Sequence, residues 1–481
     1  MMLAIIGTIF GGKLGGLIFI LPFVFAAFAF MSRANFSAAF AVYFGYLGME
    51  GMFKYLSGFS QVVYVISPLL LGSILVGWRM SLTRSDVKVG ISPFVTLLAV
   101  FAGWGVVQTF NPHGVGLVGS LASLLLWYVG PALIYVVLQS TLRHHHQVLV
   151  LLHVFVAVCT MVSFCAILQF SMGHAWTEAH FPGYHDITQT DWFVVSDKGA
   201  VTTGSFRPAA TTSMGGGGAG WAEWGALLAL GLLFLPTLTF RHRAGLAACL
   251  LVNVIGLLIS GVRLWLFVGV FEALLFFFIL ARSPAEFLKN MGFLVSVTLI
   301  ASIAFAGAQA ISGGIIGSRY AETARNPLAK FQHDRGNNVS GILSYVANYP
   351  LGSGFQQGLG VREVRRDKYD PAVRDRNGET QFGAIAADMG LPGLLLLSGL
   401  VMMVLVNGWR CFRHLRDRRL RTIGAILFAS LAGYVPASFG GPALQSATYF
   451  WALAAILAAL PVIERHERQS KSLAERPEVS Q

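Results

Sequence analysis

Charge is scarce in this sequence. Only 12% of the 481 residues are Asp, Glu, Lys or Arg, with 22 acidic residues against 34 basic ones. Soluble globular domains carry about 25% charged residues, so the composition excludes an ordinary soluble fold. The net charge of +12 fits basic loops on one side of a membrane, near anionic lipid headgroups, and we predict no nucleic-acid binding.

Cysteine is also rare. The four cysteines all lie in or beside apolar runs, which argues against a disulfide framework and against a cysteine-based metal site. The chain contains no G-x-S-x-G elbow, no C-x-x-C pair and no H-E-x-x-H helix, so hydrolases and metalloproteases lose their usual support. We therefore expect no metal and no cofactor.

Apolar residues are abundant. They make up 55% of the chain, with 37 Phe, and the mean hydropathy is +0.66. Runs of about 20 residues with few charges recur, which is the length that a bilayer-spanning helix needs. The sequence thus predicts an all-α polytopic membrane protein with about 12–14 transmembrane helices and a large, partly helical outer (periplasmic) loop. The thirteen clearest spans are 14–31, 36–56, 62–78, 91–107, 115–138, 148–169, 221–239, 245–259, 262–280, 291–311, 384–406, 423–439 and 448–463.

Basic loops predict the orientation. The run "RCFRHLRDRRLR" at 410–421 and the tail after residue 463 are the most basic segments, so we place both in the cytoplasm. Two long polar segments then fall on the outer face. The predicted divisions are N-terminal transmembrane helices 1–170, a first outer loop 171–220, central transmembrane helices 221–311, a large outer-loop subdomain 312–383, C-terminal transmembrane helices 384–463 and a basic cytoplasmic tail 464–481.

Two local patterns inside these segments predict contacts. Glu50 and Lys54 stand four residues apart within a span, so we expect a structural ion pair more than a proton or ion relay. In the large outer loop, "NNVSGILSYVANYPLGSGF" places apolar residues at helical spacing before a Pro-Leu-Gly-Ser-Gly turn. This spacing predicts a short helix that ends at Pro350.

Arginines on the outer side are the most informative polar residues. A guanidinium stays charged and pairs with phosphate oxygens through two hydrogen bonds, so arginines at a membrane surface suit a lipid-linked phosphate or diphosphate. Arg263, between two apolar spans, is the most informative of them; solvation at the headgroup level is the alternative. The candidates are Arg207, Arg263, Arg319, Arg325 and Arg335.

Four sequence islands resemble the O-antigen ligase and polymerase family of bacterial envelope glycosyltransferases, in the same order along the chain. "TGSFRP" resembles its G-T-F element, and "LISGVR" is similar to its serine-glycine-x-arginine element. "DRGNNVSGILSYVANYPLGSG" resembles an arginine, helix and N-P-L-x-G-x-G run. "ETQFGAIAADMGLPG" resembles the H-N element that leads through E-x-G-L-x-G into a late span.

The resemblance implies a function. It implies transfer of a glycan from an undecaprenyl diphosphate carrier to a glycan or lipid-core acceptor, at the outer leaflet of the bacterial inner membrane. In family terms Arg207, Arg263 and Arg335 hold the diphosphate, and we add Arg319 to this set. The residue that starts the last island acts on the acceptor hydroxyl.

That last island departs from the family pattern. Glu379 and Thr380 replace the usual histidine and asparagine, and Asp388 stands where the family has glutamate. A partly buried carboxylate can accept a proton from an attacking hydroxyl. Glu379 could instead only pair with Arg374 or Arg376, and Asp388 could orient an arginine or cap the helix.

The enzyme that we expect is a metal-independent, inverting glycosyltransferase, either a polysaccharide polymerase or an O-antigen ligase-like protein. The missing histidine favours a polymerase. Two other functions stay open. A transporter or flippase of a lipid-linked or anionic solute would use the arginines for binding alone, and such a protein is expected to have inverted repeats and broken helices near midmembrane. A non-catalytic scaffold would tolerate loss of the outer arginines.

Overall fold

The structure is a computed structural model that describes residues 21–32, 35–56, 61–85, 93–114, 116–181, 193–195, 201–206, 208–212, 216–236, 238–281, 283–312, 314, 316–317, 320–321, 325, 332, 337–355, 380–440 and 448–474. Regular structure in these residues is helical, apart from one antiparallel hairpin of strands β1 (Phe193–Val195) and β2 (Val201–Phe206).

Helices follow one another along the described chain. In order they are α1 (Leu21–Ser32), α2 (Phe36–Leu56), α3 (Gln61–Ser85), α4 (Pro93–Thr109), α5 (Leu117–Ser123), a π-helix (Leu124–Val129), α6 (Gly130–Thr141), α7 (His145–Met172), α8 (His174–His180), α9 (Gly218–Leu233), α10 (Phe240–Ser260), α11 (Arg263–Leu280), α12 (Pro284–Ser312), α13 (Asn337–Asn348), α14 (Gln381–His414), α15 (Arg418–Gly440) and α16 (Thr448–Ala474).

Six of the described helices are long and apolar enough to cross a membrane: α7, α10, α11, α14, and most of α15 and α16. Four shorter apolar helical stretches lie in α3, α4, α9 and α12. The chain is therefore an all-α, multi-pass membrane protein, as the hydropathy predicted. The finer count of 12–14 spans and the outer loop stay predictions.

Each of the thirteen predicted spans overlaps a described helix, although the boundaries differ. The span predicted at 221–239 starts earlier, at Gly218, and its helix ends at Leu233. The chain then reaches Pro236, which has no N–H for a helical hydrogen bond. The short helix predicted before Pro350 is α13, which ends at Asn348.

The described residues form two compact units. The first comprises the described residues of Met1–Ser85 and His145–Ala324, and the second comprises those of Asp86–His144 and Arg325–Gln481. Each unit combines two separate stretches of chain, and the predicted divisions along the chain stay predictions.

In the first unit, α7 packs closely against α9 and α10 through small residues. A β-carbon added at Gly225 of α9 would lie 2.5 Å from Asn253 Oδ1, and one added at Gly256 would lie 2.6 Å from the Ser163 β-carbon. Ser163 donates its hydroxyl to Asn253 Oδ1 (2.8 Å), and Asn253 Nδ2 donates to the Thr160 hydroxyl (2.8 Å). Small residues and interhelical hydrogen bonds are how apolar helices associate in lipid.

Also in the first unit, Lys54 Nζ lies 3.6 Å from Glu50 Oε1 within α2. Both side chains are largely shielded from solvent. The predicted ion pair is therefore confirmed, and each charge offsets the cost of burying the other.

In the second unit, α16 carries a buried carboxylate that fixes the start of α15. Glu464 Oε1 accepts the backbone N–H groups of Arg416 (3.0 Å) and Asp417 (2.6 Å), and it also accepts a bond from Arg468 Nη2 (2.7 Å). Asp417 in turn caps α15, because its Oδ1 accepts the N–H of Leu420 (3.0 Å). The basic run that we predicted to be cytoplasmic is thus tied down by an acidic side chain.

Candidate functional site

Three of the seven candidate site residues lie within the described part of the chain. Arg263 belongs to the first unit, and Arg325, which is exposed, and Asp388 belong to the second. The other four, Arg207, Arg319, Arg335 and Glu379, lie outside the described residues, and their expected roles stay predictions.

Arg263 is the first residue of α11, and its side chain is half-buried. The helix before it ends at Ser260, and Gly261 turns the chain with a φ of 66°, a left-handed conformation that glycine adopts readily. The Ser260 hydroxyl accepts the N–H of Val262 (3.4 Å) and donates to the Leu257 carbonyl (2.6 Å). The "SGVR" island is therefore a tight corner that fixes where the arginine starts.

The start of α11 suits an anion. The N-cap residue is Val262, whose apolar side chain cannot accept a hydrogen bond from the first turn. The first N–H groups of a helix and its dipole both favour negative charge. Arg263 adds a full positive charge at the same place, and this combination binds phosphate groups in many proteins.

Asp388 lies in a helix that breaks two residues later. Within α14, Gly390 has a φ of 64° and a ψ of −163°, which is not helical. The Asp388 side chain is fully buried. The capping residue of α14 is Thr380, whose hydroxyl accepts the N–H of Gly383 (3.0 Å), so Asp388 does not cap the start of this helix.

The Pro-Leu-Gly-Ser-Gly turn supplies the hydrogen bonds that the break removes. In an unbroken helix the Ala387 carbonyl would accept the N–H of Leu391. Here the backbone N–H (2.8 Å) and the hydroxyl (2.9 Å) of Ser353 both donate to Ala387, while the N–H of Leu391 donates to the Pro350 carbonyl (2.9 Å). Buried backbone groups need partners, and this turn provides them.

The same turn also provides a hydrogen-bond donor for the backbone carbonyl of Asp388. This carbonyl could not find a helical donor four residues on, because Pro392 has no N–H. Gly354 donates its N–H to the Asp388 carbonyl instead (3.1 Å). Gly352 has a φ of 97°, and a β-carbon there would lie 2.7 Å from this carbonyl oxygen, so only glycine fits.

Polar side chains from α4 and the residues just after it clamp the junction. Trp104 and Gln108 are four residues apart and share one face of α4, and Asn111 lies two residues beyond the end of the helix. Each donates to a backbone carbonyl of the turn or of the break: Trp104 Nε1 to Met389 (2.8 Å), Gln108 Nε2 to Leu351 (2.6 Å) and Asn111 Nδ2 to Gly352 (3.1 Å). Two separate chain segments, the end of α4 and the turn, therefore hold the Asp388 backbone in place.

This junction joins two of the four islands on which the family resemblance rests. The third island contributes the turn, and the fourth contributes the broken helix. Non-helical backbone at membrane depth is tolerated where it is buried in protein or lines a cavity. The arrangement therefore gives the buried Asp388 carboxyl a rigid frame.

Two buried carboxyl groups were missed by the sequence reasoning. Glu223 in α9 is 1% exposed and Glu272 in α11 is 0% exposed. The signal was a single acidic residue within each apolar run, "WAEWGALL" and "VFEALLFFF". An ionisable residue within a membrane helix is by default a functional candidate.

The described residues form no metal-binding cluster, and one small cavity lies among them. Among them, no three His, Cys, Asp or Glu side chains are grouped so that they could hold a metal ion. A cavity of about 10 Å³ in the second unit, lined in part by Gln381, Tyr128 and Trp451, has room for about one water molecule. That cavity is too small for a sugar.

The fold and site define the class of the protein, a multi-pass membrane protein of helices. No protein-family model matches the chain, and no curated protein is significantly similar to it. A proposal about function therefore depends on the site geometry and on the four islands.

Proposed function

We propose that the protein is a membrane glycosyltransferase that transfers or polymerises glycan from an undecaprenyl diphosphate carrier onto an acceptor sugar. It would work at the outer leaflet of a bacterial inner membrane, with the active face outward. The acceptor is a growing glycan or a lipid core, which corresponds to a polysaccharide polymerase or an O-antigen ligase-like enzyme. Membrane lipids surround the rest of the chain.

The observation that carries the proposal is the position of Arg263. It stands at a helix start whose N-cap is apolar, directly after the left-handed turn at Gly261. A diphosphate would meet the guanidinium and the first N–H groups of α11 together, and both stabilise negative charge. Arg207, Arg319 and Arg335 would complete the set of cations.

The proposed chemistry is a single displacement. Glu379 takes the proton of the acceptor hydroxyl, whose oxygen attacks the anomeric carbon from the face opposite the carrier. The bond from that carbon to the diphosphate oxygen breaks, and its electron pair leaves with the diphosphate. Fixed guanidinium groups stabilise the charge that develops on the leaving group, and the configuration at the anomeric carbon is inverted.

Asp388 would be the second carboxyl group of the proposed reaction. Its backbone is bonded to Gly354, and its side chain is fully buried. A carboxylate fixed in this way can orient a guanidinium or polarise a hydroxyl, because its own position costs no reorganisation during the reaction.

Transport is the second candidate function, and two observations favour it. The break at Gly390 interrupts a helix long enough to span the membrane, and Glu223 and Glu272 are buried within apolar helices. Discontinuous helices and intramembrane carboxyl groups are features of transporters. A flippase would move the lipid-linked glycan and leave its diphosphate bond intact.

The test uses the full-length protein in vesicles with a polyprenyl diphosphate-linked oligosaccharide. We expect longer glycans together with released polyprenyl diphosphate. Arg263→Lys keeps the charge but loses the planar, two-pronged hydrogen bonding, so product formation should fall at least about tenfold. Arg243→Lys is the matched control, because Arg243 is an exposed arginine in the first turn of α10.

Two results would overturn the proposal. Movement of the labelled donor across the bilayer, without longer glycans or released diphosphate, identifies a transporter. Equal product formation by Arg263→Lys, Arg243→Lys and the unchanged protein removes Arg263 from the site.

A further inference from the structure

Glu223 and Glu272 face each other between α9 and α11 of the first unit. Both side chains are almost fully buried, and their carboxyl groups interact with each other. No other group among the described residues hydrogen-bonds any of the four carboxyl oxygens. Buried polar groups normally have such partners, so this pair needs an explanation.

Glycine and tryptophan bring the two carboxyl groups together. A β-carbon added at Gly269 of α11 would lie 3.2 Å from Glu223 Cγ and 3.6 Å from its Oε1. On the facing helix, a β-carbon at Gly220 would lie 3.2 Å from the ring of Trp265. Each helix therefore offers a glycine to a side chain of the other, and Glu223 lies against α11 one turn before Glu272.

The pair lies deep within apolar helices. Glu272 is at the midpoint of α11, about 14 Å along the helix axis from Arg263. Glu223 is in the second turn of α9, among residues that are otherwise apolar and buried. Two negative charges in such surroundings are costly, both through lost hydration and through mutual repulsion.

Helices α7 and α10 provide no positive charge to the pair within the described contacts, and the charged side chains of α12, Glu286 and Lys289, are exposed. From α7, the titratable group near Glu223 is the thiol of Cys159. From α10, the nearby polar group is the amide of Asn253, which is already bonded to Thr160 and Ser163. A small cation or a proton is then the remaining way to offset two carboxylates.

We infer that Glu223 and Glu272 form a proton-binding site inside the membrane, holding one proton between them and exchanging it with water. One shared proton leaves a single negative charge and supplies the hydrogen bond that both carboxyl groups otherwise lack. Four oxygens from two side chains are few for Ca²⁺ or Mg²⁺, each of which takes about six or more oxygen ligands in typical sites. The proposed glycosyl transfer does not use this proton-binding site, so the site would be a second, pH-dependent property of the protein.

Carbodiimide labelling tests this inference on the full-length protein in lipid vesicles. A hydrophobic carbodiimide enters the bilayer and adds covalently to a protonated carboxyl group, giving a stable N-acylurea that peptide mass spectrometry locates. We expect the label on Glu223 or Glu272, and we expect it to decline as the pH rises. Glu50 is the internal control, because Lys54 Nζ lies 3.6 Å from its carboxylate and offsets its charge, whereas the pair has no such cation among its described contacts.

Substitutions separate the pair from other acids. Each isosteric change, Glu223→Gln or Glu272→Gln, should leave the other carboxyl group open to labelling, and the double change should abolish the labelled peptides from both helices. Wild-type protein that carries the label on Glu50 alone, or that gains label at the pair only after denaturation, overturns the inference. Protection by sodium ions at constant pH and ionic strength also overturns it, because the occupant would then be a metal cation.

Discussion

Ser353 donates two hydrogen bonds to one acceptor, the carbonyl oxygen of Ala387. The backbone N–H lies 2.8 Å and the hydroxyl 2.9 Å from that oxygen. Ala387 is in the last helical turn before the break at Gly390. The N–H of Leu391, which would donate to the Ala387 carbonyl in a continuous helix, donates to the Pro350 carbonyl instead. A turn distant in sequence thus completes the hydrogen bonding of a membrane helix.

Removing the hydroxyl tests how much this side-chain bond contributes. Ser353→Ala keeps the backbone bond to Ala387 and deletes the other, so we expect a loss of about 1 kcal/mol in the free energy of unfolding. The measurement is thermal unfolding of the purified protein in detergent, followed by tryptophan fluorescence. Ser302→Ala is the control, since Ser302 is exposed and bonds only within its own helix in the described contacts. Equal Tm values for both variants would contradict the prediction.

A side chain at Gly390 should strongly lower the stability of the fold. A β-carbon there would run into the backbone of Pro350, Leu351 and Gly352, and its φ of 64° with a ψ of −163° lies in a region that is essentially reserved for glycine. Backbone cannot move aside cheaply, so Gly390→Ala should lose more than about 3 kcal/mol of stability.

Gly399→Ala is the matched control on the same helix. The β-carbon added there would meet Leu97 Cδ2 at 3.4 Å, an ordinary contact, and alanine favours a helix over glycine. We expect a unimodal gel-filtration profile and near-normal Tm for Gly399→Ala, against aggregation or a strongly lowered Tm for Gly390→Ala. Well-folded Gly390→Ala protein would show that the turn can move away from the break.

Hydropathy predicted the membrane class because a spanning helix needs a long apolar run whatever its neighbours are. It predicted helix ends less well, since these depend on single residues. The span predicted at 221–239 extended too far along the chain. Its helix, α9, ends at Leu233, and Thr239 already caps the next helix, α10, by accepting the N–H of His242. The ion pair of Glu50 and Lys54 was predictable, because both residues lie on one helix at a fixed spacing.

The break in α14 could not be predicted from the local sequence pattern. Gly390 and Pro392 permit a break, but the same residues occur in continuous membrane helices when neighbours satisfy the backbone. What makes the break stable here is the turn at Ser353 and the indole of Trp104, which donates to Met389. Those contacts join segments far apart in sequence, and no local periodicity encodes them.

The buried carboxyl groups were missed for a different reason. The site residues predicted from the sequence all lie on the predicted outer side, whereas Glu223 and Glu272 each stand alone in an apolar run. The energetic cost of such residues is itself a sequence signal. Their meeting across two helices depends on Gly269, which only the packed structure reveals.

Asp388→Asn separates a chemical role of this carboxyl group from a structural one. The amide has nearly the same shape, and the bonds that fix the Asp388 backbone to Gly354 do not involve the side chain. If the charge orients an arginine or polarises the acceptor, glycan formation per folded protein should fall about a hundredfold while Tm changes little. Asp417→Asn is the control, because asparagine caps a helix about as well as aspartate and Asp417 is exposed. Glycan yield and Tm are measured on the same preparations. A fall in Tm with unchanged product per folded molecule would make Asp388 a structural residue, since a proton acceptor or an arginine partner must affect the rate of a protein that is still folded.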